Sequence, residues 1–241
     1  MASAEHFIDG GDSRSSLDLL KMQRSHILVV LSDAKKGCEG PFLKWYADHY
    51  RKIVIEKNSV LNVTLYERDD VDITLGNFAR PPTRYLSLCE VAYDGAEAAE
   101  ALIEEITALH HAEESARMPA TWLYFAVSEK VGRSPTKAPS RLTVAFANGI
   151  VGQETAFREW YITRHIRHAL NIPALVSGQC FERTEFQRPG ELGVTYSLMA
   201  VYEQEGTAES IIDSFKFLSP EIFRFPTLDL GRFAESSYKP L

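Results

Sequence analysis

Apolar and polar residues follow two kinds of pattern along this chain, and the same series of patterns occurs twice. Short runs rich in β-branched and aromatic residues, typical of strands, alternate with longer segments whose apolar residues recur every three to four positions, as in amphipathic helices. The first half is predicted to contain strands at 27–31, 60–67, 85–92 and 121–127 and helices at 39–57 and 96–109. The second half is predicted to contain strands at 142–146, 175–182 and 195–202, helices at 153–170 and 207–217, and a last strand within 229–236.

The two series are related by a constant shift along the sequence. Residues 26–68 align without a gap on residues 141–183, at a shift of 115 positions, and eight of the 43 pairs are identical. The identities cluster, and the clearest are Phe42 with Phe157 and Trp45-Tyr46 with Trp160-Tyr161. A repeat of this length indicates a duplicated structural unit.

Each series has the order of a ferredoxin-like unit, in which an antiparallel sheet carries two helices on one face. Two such units in one chain can bury their uncovered sheet faces against each other. We therefore predict an α+β protein of two ferredoxin-like repeats with their antiparallel sheets packed face to face. The predicted divisions are an N-terminal extension at 1–25, a first repeat at 26–128, a linker at 129–140 and a second repeat at 141–241. The aromatic segment that ends the second repeat is expected to pack along the surface or at a subunit contact.

The first helix of the second repeat carries the candidate chemistry. Its inward stripe is predicted to consist of Phe157, Tyr161, Arg164 and His168, flanked by Trp160 and His165. A helix that only covers a sheet would continue with aliphatic residues, because burying a guanidinium and two imidazoles is costly without partners. We predict a cavity in which His165 or His168 moves a proton, Arg164 holds an anionic oxygen and Tyr161 orients the substrate. The alternative is that the stripe turns outward and that Arg164, His165 and His168 are solvated.

The corresponding helix of the first repeat is chemically different, which favours a site in the second repeat. Its stripe is predicted to contain Phe42, Tyr46, His49 and Ile53, flanked by Trp45 and Tyr50. The residues predicted to bind substrate in the two stripes are Trp45, Tyr46, His49, Tyr50, Phe157 and Trp160. His165 and His168 lack a third ligand at a recognisable spacing, so no metal site is predicted. His110 and His111 end a helix, where the helix dipole favours an imidazolium.

Composition and charge exclude several function classes. The 26 basic and 33 acidic residues give a net charge of -7, which disfavours binding to nucleic acid or to an anionic membrane. The three cysteines form neither a disulfide framework nor a zinc motif, and no apolar run is long enough for a membrane helix, so a cytoplasmic protein is expected. The sequence contains no glycine-rich nucleotide motif and no serine-hydrolase motif, so no cofactor is predicted.

The segment FREWYITRHIRHALNIPALVSGQCFER at 157–183 resembles the first helix and second strand of the dimeric α+β barrel proteins, and in particular of the EthD-like group. In that group a Trp-Tyr pair is followed by a polar pair that ends in histidine. The segment at 42–68 is a diverged version, with Tyr50 in place of the histidine. The resemblance implies a homodimer with a cavity between sheet and helices, suited to a small, apolar, often aromatic molecule.

Proteins of this kind include cofactor-free isomerases, cyclases, monooxygenases, dehydratases and decarboxylating lyases, together with two-repeat haem enzymes, the chlorite dismutases and dye-decolorising peroxidases. We expect a cofactor-independent lyase or isomerase that decarboxylates, dehydrates or isomerises an aromatic or polyketide-like compound. Two alternatives stay open at this point. One is a haem-binding oxidoreductase with His165 or His168 as axial ligand, and the other is a barrel that binds an apolar ligand without catalysis.

Overall fold

The order of helices and strands is the same in the two halves of the molecule. The computed structural model describes residues 26–136, 139–215 and 226–241, so the predicted N-terminal extension lies outside the described residues. The first half contains β1 (His26–Ser32), helix α1 in three contiguous segments (Glu39–Trp45, Tyr46–Tyr50 and Arg51–Ile55), β2 (Val60–Arg68), β3 (Tyr85–Val91), α2 (Ala96–Ala112) and β4 (Ala120–Ala126). A short strand, β5 (Val131–Gly132), follows.

The second half begins with β6 (Arg141–Gly149) and helix α3, again in three contiguous segments (Glu154–Trp160, Tyr161–His165 and Ile166–Ala169). It continues with β7 (Leu175–Arg188), β8 (Leu198–Gln204), α4 (Ala208–Phe215) and β9 (Leu228–Pro240). The two long helices begin in the same way. Gly37 and Gly152 both have φ of 82°, and each donates its N–H to a glutamate two residues later, Glu39 and Glu154.

All strand pairs in the described residues are antiparallel, and the strands form a ring. The first half has the order β4-β1-β3-β2 and the second half has the order β9-β6-β8-β7, which is the same order in both. The halves join where β2 pairs with β9 and where β4 pairs with β7. The predicted α+β fold of two ferredoxin-like repeats is confirmed, and the edges of the two facing sheets are joined by hydrogen bonds into one barrel.

Side chains from both halves fill the inside of this barrel. Alternate residues of each strand point inward, as the pleat requires, and Trp122 of β4 packs edge-on against Phe146 of β6 at a ring distance of 5.5 Å. Tyr196, which precedes β8, contacts both rings. The barrel interior is therefore a packed apolar core, and the helices cover the outer faces of the sheet.

The C-terminal segment corrects one expectation. The aromatic segment was expected to pack along the surface or at a subunit contact, with a last strand within 229–236; that strand is β9, and it lies between β2 and β6 as one of the two joints of the barrel. Ser237 and Tyr238 are fully buried. β9 is paired along both edges, so it covers backbone groups that β2 and β6 would otherwise expose.

Candidate functional site

A cavity of about 560 Å³ lies against the outer face of the second half of the sheet, beneath α3 and α4. Its volume lies in the range of small-molecule sites. Most of the described side chains that line it are apolar. The described lining residues are Ile73, Thr74, Leu75, Asn77, Phe78, Thr143, His165, Ala169, Ile172, Leu175, Tyr202, Ile211, Leu230, Phe233 and Glu235.

The outer face of the central strand β6 carries two small residues, Thr143 and Ala145, and Thr143 lines the cavity. Ala145 of β6 pairs with Ala200 of β8 on one side and with Glu235 of β9 on the other. In the first half, Val30 occupies the position of Ala145, and Leu28 occupies the position of Thr143. Val30 and Leu28 are fully buried against the first-half helices.

Gly178 in β7 leaves room for the ring of Tyr202 at the cavity wall. A Cβ atom placed on Gly178 would lie only 2.6 Å from the Tyr202 ring, so any larger residue would displace the tyrosine. Gly178 and Tyr202 are register partners across β7 and β8. The ring of Tyr202 therefore lies flat over the strand and forms part of the cavity wall.

A loop from the first half covers the cavity of the second half. The loop between β2 and β3 contributes Ile73, Leu75 and Phe78 to the cavity lining. Phe78 packs edge-on against Phe233, with 5.0 Å between the ring centres. Asp72 fixes the turn by accepting hydrogen bonds from the backbone N–H groups of Thr74 at 2.9 Å and of Gly76 at 2.8 Å. This loop is longer than its counterpart in the second half, so the first half supplies part of the second-half site.

His165 is the one residue of the predicted catalytic set that lines the cavity. It is half-buried, and its ring lies 4.7 Å from that of Tyr161 and 4.9 Å from that of Trp160. Burial, and to a lesser extent the neighbouring His168, lower the pKa of His165 to about 4. The imidazole is therefore neutral at physiological pH, with one ring nitrogen protonated.

Glu235 is a site residue that the sequence analysis missed. It lies on β9, points to the outer face and lines the cavity. Burial raises the pKa of Glu235 to about 7, and the nearby Asp72 carboxylate adds to this effect. A carboxyl group with this pKa exchanges protons readily at neutral pH. The sequence places Glu235 on the same strand face as Phe233, but it contains no signal that the carboxyl group is buried.

Two buried tyrosine hydroxyls lie close to Glu235. Tyr202 and Tyr161 are both fully buried, and neither hydroxyl has a hydrogen-bond partner among the described residues. Burial raises the pKa of both phenols well above its usual value, with a smaller contribution from Glu235. Buried polar groups are normally paired, so two such hydroxyls beneath one cavity are an unusual feature of this half.

The predicted inward stripe of α3 is wrong in its second half. Arg164 and His168 are exposed, while Ile166 and Ala169 are buried. The cause is the π-helical segment Tyr161–His165, whose i→i+5 hydrogen bonds accommodate one extra residue in the turn. Residues after this turn are shifted by one position, about 100°, relative to a regular α-helix.

The same shift occurs in the first half, where Tyr46–Tyr50 is π-helical. His49 is exposed as a result, and Tyr50 takes the inward position that His165 has in the second half. Tyr50 and Tyr46 stack at 5.0 Å in the first-half core, beside Trp45. None of these four residues lines the cavity.

The remaining predicted residues support the site from outside the cavity. Phe157 is buried against Tyr161, with 5.3 Å between the ring centres, and neither residue is among the described lining. Trp160 packs against His165. The structure therefore brings Phe157, Trp160, Tyr161 and His165 together and separates them from Arg164 and His168.

His110 also differs from its expected state. It is buried, its Nε2 lies 2.8 Å from Ser32 Oγ, and its Nδ1 lies 3.2 Å from the carbonyl oxygen of Ile106. Burial lowers the pKa of His110 to about 4, so the ring is neutral at pH 7. The expectation of an imidazolium at the helix end is therefore wrong for His110, which packs edge-on against Tyr50 at 4.9 Å.

Solved structures with the same arrangement of strands and helices extend over nearly the whole chain. An anthrone oxidase-like protein has a TM-score of 0.60 and 10% identity, covering 92% of this chain and 93% of its own. A proposed monooxygenase from Fusobacterium nucleatum has a TM-score of 0.50 and 11% identity, over 91% and 94%. A double-substituted variant of chlorite dismutase from Candidatus Nitrospira defluvii has a TM-score of 0.52 and 9% identity, over 92% and 94%.

These likenesses establish a shared fold, that of the dimeric α+β barrel and ferredoxin-fold proteins. No protein-family model matches the sequence, and no curated protein matches it. Within residues 26–136, 139–215 and 226–241, no three His, Cys, Asp or Glu side chains are grouped as a metal site. In the same residues, no helix has the length and apolar character needed to cross a membrane.

Proposed function

We propose that the second half carries the active site of a small-molecule enzyme, a lyase or isomerase that moves a proton on a largely apolar substrate. The observation that carries this proposal is the pairing of two groups in one cavity. Glu235 has a pKa of about 7 because it is buried, and His165 is neutral for the same reason. Titratable groups whose pKa values are shifted in opposite directions are typical of acid–base sites.

In this proposal Glu235 is the general base. Its carboxylate removes a proton from a carbon next to a carbonyl group, and the pKa of about 7 lets it return that proton to another atom. Return of the proton to a different carbon is an isomerisation. Loss of a hydroxyl group as water from the same intermediate is a dehydration, the lyase form of the reaction.

The oxygen that gains negative charge needs hydrogen-bond donors. Arg164 was expected in this role, but it is exposed on the far side of α3. The neutral His165 imidazole lines the cavity and carries one N–H proton. Neutral donors in a dry site stabilise a developing oxyanion without first needing to be desolvated as ions.

Deuterium exchange tests this proposal. The protein is incubated in D₂O with anthrone, 2-tetralone and other ketones that have an activated C–H group, and deuterium uptake is followed by mass spectrometry. We expect exchange well above the buffer rate, with a rate that rises with pH through about 7 as Glu235 ionises. Glu235→Gln and His165→Ala should each slow exchange by at least 100-fold, while the exposed control Glu159→Gln should not.

A second candidate function starts with the same proton abstraction. The likeness to an anthrone oxidase-like protein and to a proposed monooxygenase makes oxidation of the carbanion by molecular oxygen a natural alternative. An oxygen electrode distinguishes the two. Oxygen uptake that matches the loss of anthrone indicates the oxidase, and exchange without uptake indicates the lyase or isomerase.

The haem alternative fits the described lining less well. A neutral imidazole at His165 is suitable as an axial ligand, but haem also carries two propionates. The described lining residues include Glu235 and contain no Lys or Arg to pair with them. Addition of haem to the purified protein checks this directly, because a Soret band that is lost in His165→Ala would establish the haem function.

A binding barrel without catalysis is the third reading. It predicts saturable binding of the same ketones with exchange at the buffer rate in the wild-type protein. That result, together with unchanged affinity in Glu235→Gln, would contradict the enzyme proposal.

A further inference from the structure

Three of the residues with polar groups that line the cavity are neighbours on the sheet, and Thr74 and Asn77 line it from the loop between β2 and β3. Thr143 on β6 is the register partner of Tyr202 on β8, and Glu235 lies one row away on β9. His165 faces this group from α3. The apolar part of the described lining consists of Ile73, Leu75, Phe78, Ala169, Ile172, Leu175, Ile211, Leu230 and Phe233.

The hydroxyl proton of Thr143 is already used in a hydrogen bond. Its hydroxyl donates to Oε1 of Gln204 at 3.0 Å, and Ser237 lies 2.9 Å from the same oxygen. The amide of Gln204 is fixed in this orientation because its Nε2 donates to the carbonyl oxygen of Thr207 at 2.6 Å. An amide oxygen can only accept, so Thr143 presents acceptor lone pairs to the cavity.

The charge around the cavity is unfavourable for an anion. Glu235 is a carboxyl group on the described lining, the Asp72 carboxylate is near it, and no Lys or Arg is among the described lining residues. The nearby Arg80 is engaged elsewhere. It donates to Ser236 Oγ at 3.2 Å and to the carbonyl oxygens of Asp69 and Asp70.

A cation is disfavoured for a different reason. Nine of the fifteen described lining residues are apolar, so an ammonium group would lose its hydration and find one carboxyl group in return. A neutral hydroxyl group loses much less hydration, and it can donate to Thr143 or Glu235, which line the cavity.

We propose that the cavity selects an uncharged molecule that carries a hydroxyl group on an apolar, ring-sized body, and that it rejects the corresponding carboxylate and ammonium ions. This inference deepens the proposed function, because it names the ligand class of the same site. It also removes decarboxylation from the reactions of that site, since a decarboxylase must bind a carboxylate.

Four probes that share one ring system test this selection at pH 7. They are 2-naphthalenemethanol, 2-naphthoate, 2-naphthylmethylammonium and 2-methylnaphthalene, and their dissociation constants are measured by equilibrium dialysis with the full chain. We expect the alcohol to bind at least tenfold more tightly than either ion and at least threefold more tightly than the hydrocarbon. Equal or tighter binding of the carboxylate or the ammonium ion would overturn the proposal, as would failure of all four to bind.

Two variants then assign the selection to residues. At pH 8, where about nine-tenths of Glu235 is ionised, Glu235→Gln should increase naphthoate affinity at least fivefold, with the exposed Glu159→Gln as matched control. Thr143→Val should remove the advantage of the alcohol over the hydrocarbon. Naphthoate affinity that is unchanged in a folded Glu235→Gln protein would also count against the proposal, while the wild-type comparison stands even if a variant does not fold.

Binding is measured here without turnover, so the two proposals can fail separately. Deuterium exchange with no preference for the alcohol would leave the acid–base function and remove the ligand class. A clear preference for the alcohol with no exchange on any ketone would do the reverse.

Discussion

The two halves share one fold, but the first half is filled where the second half is hollow. In the first half, Leu28, Val30 and Leu123 lie across the middle of the outer sheet face and pack against α1 and α2. In the second half, Thr143, Ala145 and Ser237 take the corresponding places. Shorter side chains on an unchanged backbone leave a volume that can hold a ligand.

The residue at the inward position of the π-helical turn also differs between the halves, and again the first half is the more closely packed. Tyr50 of the first half is fully buried between Tyr46 and His110, and His165 of the second half lies at the edge of a cavity. The π-helical turn is present in both halves, so it is not sufficient for a site. The comparison shows that a duplicated unit can keep its helix geometry and gain a cavity through substitutions on the sheet beneath it.

Truncation of Leu28 and of its equivalent Thr143 should give the largest difference in stability loss between the halves. Leu28→Ala removes a fully buried side chain and should lower the free energy of unfolding by about 2 to 5 kcal/mol. Thr143→Ala should cost less than about 1.5 kcal/mol, because it removes one hydrogen bond at the wall of an existing cavity. Urea denaturation measures both, and equal losses would mean that the second half is as tightly packed as the first.

The pH dependence of stability should also separate the halves. Folded Glu235 keeps its proton up to about pH 7, whereas the unfolded group releases it near 4.5, so the folded state binds more protons between these values. The contribution of Glu235 to the free energy of unfolding therefore falls as pH rises from about 4.5 to about 7, by roughly 1 to 3 kcal/mol. Glu235→Gln should abolish this contribution.

Two histidines act in the opposite direction over almost the same pH range. Folded His110 and His165 release their protons near pH 4 instead of 6.5, so their contribution to stability falls as pH drops through this interval. His110 belongs to the first half and His165 to the second. Chemical denaturation at a series of pH values separates the two effects: relative to the wild type, the free energy of unfolding should rise with pH for Glu235→Gln and fall with pH for His110→Gln, and trends of the same sign would contradict the assignment.

Filling the cavity with a residue of the first half should weaken ligand binding. Thr143→Leu introduces the side chain found at Leu28 and should lower the affinity for 2-naphthalenemethanol by about tenfold, which is about 1.4 kcal/mol. The reverse change, Leu28→Thr, should leave binding by the folded protein unchanged, because Leu28 is not among the residues that line this cavity. Equal effects of the two substitutions would show that the probe binds elsewhere.

The smallest effects are expected on the exposed face of α3. Arg164→Ala and His168→Ala should change the free energy of unfolding by no more than about 0.5 kcal/mol. Both variants should catalyse deuterium exchange into the ketones within twofold of the wild-type rate, in contrast to His165→Ala. A 100-fold loss in either variant would restore the inward placement that the regular helix period suggested.

The sequence was sufficient to predict the elements, the repeat and the fold, because each depends on local periodicity or on self-similarity. It was insufficient to predict which residues of α3 face inward after Tyr161. Hydrophobic periodicity assumes a regular helix, and the π-helical turn changes the register. His165 was identified together with Arg164 and His168, and only the structure separates the three. The pairing of β2 with β9 and of β4 with β7 was also not visible, because register across distant strands leaves no local pattern.

Glu235 shows a different limit of sequence reasoning. The chemistry was sought on helices, where polar residues interrupt an apolar stripe, and a single glutamate in a strand has the ordinary appearance of a solvent-facing residue. Its burial depends on the loop at 72–78, which belongs to the other half of the chain. A contact across the two halves of this kind is accessible only from the folded structure.

Strand β9 determines when, during synthesis on the ribosome, the barrel can close. The oxygens that meet at Asp69 and Ser237 are 168 residues apart in sequence, so the partner of β2 emerges roughly 10 to 30 s after β2 at ordinary translation rates. During that interval β2 has an unpaired edge and the inner face of the first sheet is exposed. Until β9 has been made, the first sheet therefore has the unpaired edge and exposed apolar face that favour aggregation.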